Sequence, residues 1–245
     1  MEREKWYRSW FNSPYYHMLY RHRDTREAEI FIDHILKYLK PNPQEWILDL
    51  GCGKGRHSIS MHSRGFKVVG IDLSQQNIAY AKHFENEQLR FERHDMRNTY
   101  REAHFGLVMN LFTSFGYFDR MEENLQVLRA SHANLLPKGR LMIDYLNAPR
   151  VAQELIPIEK KEIDGVNFRI ERSMEHSSII KKIFVNDGSK ELRFEEHVKA
   201  LNKQDFKSLL TQSGFEIVDI FGDYALNQFN EDKSPRLILI ARKKG

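Results

Sequence analysis

Cysteine is nearly missing from this chain. Cys52 is its only one among 245 residues, so no disulfide can close within it and no multi-cysteine zinc site can form. Long apolar runs are missing as well. The densest, such as Leu237 to Ala241, are strand-length and fall far short of the roughly 18 residues of a helical membrane span. Excess charge is scarce: 38 Lys+Arg against 34 Asp+Glu leave a net charge of +4. Beyond the pairs Lys160-Lys161, Lys181-Lys182 and Lys243-Lys244 there is no basic stripe of the kind that grips nucleic acid. The opening MEREKWYRSWF mixes acids with aromatics, unlike a secretory signal peptide. Together these absences predict a soluble, cytoplasmic protein with no membrane partner. What is present, 41% hydrophobic and 12% aromatic residues, supports a sizeable core and excludes a disordered chain. The length fits one large domain with an elaboration.

The pattern changes along the chain. Up to about residue 40 it is helical, with Ile30, Phe31, Ile35, Leu36 and Leu39 at helical spacing before Pro41 and Pro43. Ahead of them lies an aromatic segment with Trp6, Tyr7, Trp10, Phe11, Tyr15, Tyr16 and Tyr20. Over 41–147, strand-like runs (46–50, 67–72, 89–95, 105–111 and 140–146) alternate with helix-like runs (56–64, 74–86 and 122–136). That alternation predicts βαβ units and a parallel sheet with right-handed crossovers. Pro137-Lys138-Gly139 marks a turn before the fifth strand. Residues 158–201 are charged, alternating strand patterns, divided by Asp164-Gly165 and Asn186-Asp187-Gly188 into three runs. They predict a small antiparallel insertion. Over 202–245 a helix ending at Gly214 precedes two closing strands, 215–222 and 236–243.

The most informative residues are Asp49-Leu50-Gly51-Cys52-Gly53-Lys54-Gly55. An apolar strand runs into alternate glycines and then a helix, a turn that lets a ligand approach the main chain. Dinucleotide folds carry a glycine loop too, but here the last glycine follows after one residue instead of two. Asp49 would also repel a pyrophosphate, whereas it can accept hydrogen bonds from an ammonium group. Asp72 ends the second strand and fits bonding to ribose hydroxyls. Asp95-Met96 ends the third, where an acid can accept from an adenine amino group. Each aspartate alone suits helix capping equally well. Three in order at the C-terminal edge of successive strands point to a ligand.

The stretch ILDLGCGKGRHS, then VVGIDLS, RHDMRN and LPKGRLMIDYLN, resembles class I S-adenosylmethionine-dependent methyltransferases from about Trp46 to Asn147. The resemblance implies an α/β, doubly wound, seven-stranded, mostly parallel sheet whose last strand is antiparallel. An antiparallel β insertion and an N-terminal helical lid would be added to it. It implies S-adenosyl-L-methionine as cofactor: Asp49 and Gly51 by the methionyl moiety, Cys52, Gly53 and Gly55 completing the loop, Asp72 with Leu73 at the ribose, and Asp95 and Met96 at the adenine. Asn110 matches the position next to the transferred methyl. The insertion and aromatic N-terminus look like glycine-type and sugar-amine N-methyltransferases, which use such additions to enclose a small-molecule acceptor.

Methyl transfer needs positioning and desolvation more than a catalytic triad, and no triad is visible. Ser58 and Ser60 beside His57 suit helix-surface or capping roles, and Cys52 suits packing. Asn110 to Phe118 (NLFTSFGYF) mixes aromatics with small polar groups, with Gly116 for a bend. Two roles stay open to it: a hydrophobic cover of the sheet, or cation–π contact with a sulfonium or ammonium. Tyr16, Tyr20 and Tyr117 are the candidate acceptor-binding phenols, with core packing as the other reading. Arg21 and Arg236 are candidates for a substrate anion, and His94 and His197 for pocket histidines. No metal is expected, and monomer and homodimer are both open. The competing functions are an RNA or protein methyltransferase and a catalytically silent cofactor-binding module. No Asn/Asp-Pro-Pro-aromatic motif follows the fourth strand, which weighs against a nucleic-acid amine as acceptor.

Overall fold

The computed structural model describes residues 6–21, 25–188 and 190–244. Short apolar strands bury both faces, so they assemble as a parallel sheet with helices on either side. β1 (Trp46–Leu50), β2 (Lys67–Asp72), β3 (Leu89–Arg93), β4 (Phe105–Asn110), β5 (Leu135–Leu146), β10 (Phe215–Phe221) and β11 (Arg236–Lys243) form one sheet in the order β10-β11-β5-β4-β1-β2-β3. β11 runs antiparallel to both of its neighbours, β5 and β10, so the last strand is reversed as expected. The strand order reverses between β1 and β4, and ligands of open α/β sheets bind at such a switch point.

One face is covered by α3 (Thr25–Leu39), α4 (Arg56–His62) and α5 (Gln75–Ala81). Phe31, Ile32 and Ile35 pack there with Met61, Ile78 and strand residues such as Ile47 and Val68. The opposite face is covered by α6 (Met121–Asn134) and α8 (Lys203–Gln212), through Leu125, Leu128, Phe206 and Leu210. α3 is thus part of the sheet's core layer. Ahead of it, α1 (Trp6–Phe11) and α2 (Pro14–Leu19) stand apart from that layer.

The insertion differs from the sequence expectation in strand number. It follows a short helix, α7 (Ala148–Gln153), and contains four strands: β6 (Ile158–Ile163), β7 (Val166–Glu175), β8 (Ser178–Asp187) and β9 (Lys190–Lys199). The unforeseen turn lies at His176-Ser177, where φ is +46° and +60°. Two successive positive φ angles match the twist of a tight hairpin, but neither residue is the glycine or asparagine that signals one. The strand β5 also begins earlier than expected, at Leu135, with the Pro137-Lys138-Gly139 turn inside it as an irregularity: Lys138 has φ +63° and the register against β4 shifts there.

Trp10, Tyr15 and Leu19 of the first two helices pack on Val166, Phe168, Ile170, Ile183 and Val185 of the inserted sheet. Two charged residues interrupt this apolar face. Glu196 accepts from the Trp10 indole (2.6 Å) and the Tyr20 hydroxyl (2.7 Å) and pairs with Lys181 (2.7 Å), whose ammonium also donates to the Tyr20 oxygen. Three residues beyond Glu196, at its C-terminal end, β9 is tied to the loop after β4. The Lys199 N–H donates to the Gly116 carbonyl (2.9 Å), and the Tyr145 hydroxyl donates to the Lys199 carbonyl. These bonds hold the N-terminal helices and Tyr117 opposite the strand tips of the main sheet.

Candidate functional site

A cleft of about 360 Å³ opens at the C-terminal edge of β1, β2 and β4, walled on the far side by α1 and α2. The turn after β1 folds back on β2: the N–H groups of Gly51 and Cys52 both donate to the Ile71 carbonyl (2.8 and 3.0 Å). Gly53 then donates to Asp72 Oδ2 (2.9 Å), and Ser74 N–H donates to Oδ1 (2.7 Å). Asp72 therefore braces the glycine turn while facing the cleft. Gly53 and Gly55 need glycine for different reasons. Both have positive φ, but a Cβ at Gly53 would meet nothing within 4 Å, whereas one at Gly55 would stand 2.6 Å from the Phe91 ring. Gly53 leaves the main chain open on the cleft. Gly55 lets the turn pack onto β3, and it does not line the cleft.

Asp49, Gly51, Cys52, Gly53, Asp72, Leu73, Asp95 and Met96 all line this cleft, as do Tyr16, Tyr20 and Tyr117. Asp49 is buried and accepts from the Ser58 hydroxyl (2.6 Å). Burial pushes its carboxyl up to about 6; the nearby Asp72 adds to the rise, while Ser58 and Arg56 oppose it. Burial also pushes Asp72 up, against the donated N–H groups of Ser74 and Gly53. For Cys52, burial and the two aspartates raise the thiol well above its ordinary range, which removes the thiolate a nucleophile would need.

Other expected residues are placed differently. Asn110 is 1% exposed and is not among the cleft-lining residues; its amide donates to the Leu50 carbonyl (3.3 Å) at the β1 tip, from behind the turn. Asp95 faces the cleft but is not a free acceptor. Arg97 donates to it from Nε (3.0 Å) and Nη2 (2.6 Å), and also bonds Glu123 (2.6 Å). Burial pushes the Asp95 carboxyl up, and Arg97 more than reverses this, leaving it below the usual range. Arg236 is paired with the fully buried Asp144 (2.7 Å) and is not a cleft residue, whereas Arg21 lines the cleft and pairs with Asp164 of the insertion. His94 lines it; His197 stacks on Trp6 at 5.7 Å, paired with Glu195 (2.9 Å). Tyr15 bonds Asp187 instead of facing the cleft.

Several lining residues were not among the candidates named from the sequence: Lys54, Arg56 and His57 beside the glycine turn, and Tyr7 and His17 on the helical wall; Phe112, which also lines it, belongs to the 110–118 stretch for which ligand contact stayed open. His57 and Arg56 lie in the first turn of α4, immediately after the last glycine. That adjacency is a signal the sequence carried. His57 Nε2 has no hydrogen-bond partner among the described residues. Burial, helped by Arg56, pushes its imidazole down to about 3, so the ring is neutral at physiological pH. A histidine whose folded pKa is depressed contributes stability above its ordinary value of 6.5, which is lost as pH falls toward 3. One pH unit below 6.5, that loss is about 1.4 kcal/mol. Asp49, raised instead, acts oppositely between its ordinary 3.8 and about 6. Urea unfolding of wild type and His57→Phe at pH 7.5 and 5.5 separates the two. The variant is expected to be less acid-sensitive by about that amount, and equal sensitivity would refute the neutral buried ring.

Among the described residues no cluster of His, Cys, Asp and Glu is suited to a metal ion, and no helix is long and apolar enough to cross a membrane. The methyltransferase-domain family model matches residues 20–220. The chain is 27% identical over 237 residues to a glycine/sarcosine N-methyltransferase of Aphanothece halophytica, covering 90% of this chain and 83% of that one. In fold it resembles an S-adenosylmethionine-dependent methyltransferase from Clostridium acetobutylicum, with TM-score 0.79, 21% identity, and 94% and 97% of the two chains covered. It also resembles the S-adenosylmethionine-bound amino pentose methyltransferase CalS10 from Micromonospora echinaspora, with TM-score 0.70, 21% identity, and 95% and 98% covered. With Asp49, Gly51, Gly53 and Asp72 gathered in one cleft at the sheet's switch point and the family model matching residues 20–220, the chain belongs to the methyltransferase-domain family as a class I S-adenosylmethionine-dependent methyltransferase.

Proposed function

We infer that this enzyme methylates a small molecule, at nitrogen, within the cleft between the strand tips and the N-terminal helices. The observation that carries this reading is the far wall. Tyr7, Phe11, Tyr16 and Tyr20 face the cofactor turn across the cleft, on helices fastened to the inserted sheet through Glu196. An aromatic-walled space of about 360 Å³ suits a small acceptor in a desolvated site better than a nucleic-acid chain. Nitrogen is favoured by the glycine/sarcosine N-methyltransferase relatives and by tyrosine faces able to attract an ammonium.

The residues fit S-adenosylmethionine. The buried Asp49 carboxyl, held up by desolvation, is a site that gains from a cationic ammonium. Gly53 leaves open space in front of the main chain. Asp49 would hold the methionyl amine, Asp72 and Leu73 the ribose, and Met96 with the Arg97-tethered Asp95 the adenine. When bound, the donor supplies an electrophilic methyl on a sulfonium, open to in-line displacement. Tyr16, Tyr20 and Tyr117 would orient the acceptor and exclude water. Asn110 would act by holding the β1 tip. The Tyr20 hydroxyl donates to Glu196 and receives from Lys181, so its proton is already committed and is not given to an acceptor.

S-adenosylhomocysteine is expected to raise the thermal unfolding midpoint by several degrees while NADH leaves it unmoved. Its affinity should also weaken as pH falls below about 6, where Asp49 takes up a proton. Stabilisation by NADH alone would overturn the donor reading. Methyl transfer from labelled donor to RNA or protein, with none to small amines, would overturn the acceptor reading.

A further inference from the structure

Behind the cleft, two residues leave β4 in a conformation that side chains seldom adopt. Phe112 and Thr113 are consecutive non-glycine residues with φ of +57° and +61°, each crowded by its own Cβ. Such strain persists only where the surroundings impose it. Here they do so through a buried ion pair that no step of methyl transfer uses. Asp144, at the end of β5, is fully buried. Its Oδ2 accepts the Phe112 N–H (2.9 Å), and its carbonyl accepts the Thr113 N–H (3.0 Å). Its Oδ1 accepts from Arg236 Nε (2.8 Å), and the Arg236 Nη2 donates in addition to Thr113 Oγ1 (2.9 Å). One carboxylate and one guanidinium thus grip both residues of the turn.

The turn matters because of what it presents. The Phe112 ring lines the cleft beneath the Arg56 guanidinium (4.4 Å), beside His57 (5.3 Å) and stacked near parallel on Tyr224 (5.6 Å, 22°). The next residue, Ser114, sits so close to the glycine turn that a Cβ on Gly51 would fall 2.8 Å from its own. If the turn relaxed to the right-handed region, both side chains would leave the place where β4 meets the glycine turn.

We propose that Asp144 and Arg236 are positioning residues: their buried pair holds Phe112 and Thr113 in the left-handed turn that completes the methionyl side of the cofactor cleft, a role that rests on the donor reading above. Replacing either partner releases the turn. Replacing Thr113 with glycine relieves one of the two strained residues and so lowers the need to hold the turn, because glycine adopts φ near +61° without a Cβ penalty. Because glycine at a positive φ can also favour the fold, unfolding is measured beside binding, so that rescue of affinity in protein that is already folded is told apart from a gain in stability.

The test is calorimetric binding of S-adenosylhomocysteine, with circular dichroism to confirm folding. Asp144→Asn, close in shape but without charge, is expected to bind at least tenfold more weakly than wild type. Asp144→Asn with Thr113→Gly should recover at least half of that loss on a logarithmic scale. Should Asp144→Asn not fold, Arg236→Lys probes the same clamp. Its single ammonium lacks the planar fork that reaches Asp144 and Thr113 together, so a several-fold weakening is expected, again recovered by Thr113→Gly. Wild-type affinity in folded Asp144→Asn or Arg236→Lys, or a loss that Thr113→Gly leaves unchanged, overturns the proposal alone. If wild type itself fails to bind S-adenosylhomocysteine, the donor reading falls and this role falls with it.

Discussion

Glu196→Ala is expected to destabilise the protein by about 3–5 kcal/mol, the range for removing one partner of a buried ion pair. The pair sits where strand alternation calls for apolar side chains. Val185 and Ile183 of β8 and Phe194 of β9 supply the packing around it, yet Glu196 and Lys181 are only 13% and 19% exposed. Burial pushes the Glu196 carboxyl up, and Lys181 with the Tyr20 and Trp10 donors pulls it below its usual range, so the charged form is the one the network stabilises. Truncation to alanine strands the Lys181 ammonium and leaves the Trp10 N–H without its acceptor. The tyrosine–ammonium bond then has no counter-charge. Replacing both charges, as in Glu196→Gln with Lys181→Met, should cost far less, because a buried pair exchanged for uncharged groups of similar volume is often near neutral. Urea unfolding of the two single variants and the double variant gives the coupling. Because Trp10 is fully buried against this sheet, its fluorescence reports whether the N-terminal helices let go before the main sheet unfolds. Additive effects of the two substitutions would show that Glu196 and Lys181 do not act as a pair.

Much of the fold was legible because its elements obey simple periodicities. The bounds of β1, β2 and β11 coincide with the apolar runs 46–50, 67–72 and 236–243, since strands buried on both faces read as unbroken hydrophobic stretches. The His176-Ser177 turn was not legible. Its positive φ angles are imposed by the long β7–β8 and β8–β9 ladders, and ladder pairing overrides what a turn residue prefers on its own. The assignment of residues 1–40 to one helical cap joined two different things. The amphipathic stripe of α3 was plain, but which surface it would meet, the main sheet and not the insertion, is a tertiary fact. The aspartates at the strand tips were found from order and spacing alone. Their differences were not: Asp49 keeps a single hydroxyl donor from Ser58 while Asp95 is clasped by Arg97. Both partners lie within ten residues in sequence, yet only the folded turn brings them within reach. Arg236 shows the converse. A lone arginine at a strand start looks like an anion ligand until its buried partner, 92 positions earlier, is in view.

Asp72→Ala is expected to weaken S-adenosylhomocysteine binding by about 1–3 kcal/mol, the cost of leaving polar groups without their partner, or roughly five- to a hundred-fold or more in Kd. Two consequences combine in that number. On the proposed placement the cofactor ribose would lose its acceptor, and the N–H groups of Gly53 and Ser74 lose the carboxylate that fixes the turn. Asp72→Asn separates them in part: an amide oxygen can still accept one N–H, but the NH₂ beside it donates where an acceptor is needed. If bracing the turn dominates, Asp72→Asn should sit near wild type in unfolding temperature and recover much of the affinity. If pairing with the ribose dominates, Asp72→Asn should resemble Asp72→Ala in affinity while keeping stability. Asp49 is the natural control. It lines the same cleft but holds no part of the turn's main chain through its carboxylate; the hydrogen bond it accepts comes from Ser58. Asp49→Asn should therefore lower affinity without loosening the turn, and should remove the decline in binding expected below about pH 6 from protonation of the buried carboxyl. Calorimetry across pH 5 to 8 on the three variants distinguishes these contributions. Undiminished binding by Asp72→Ala would remove the ribose assignment and with it the main reason for placing a nucleoside at this edge of the sheet.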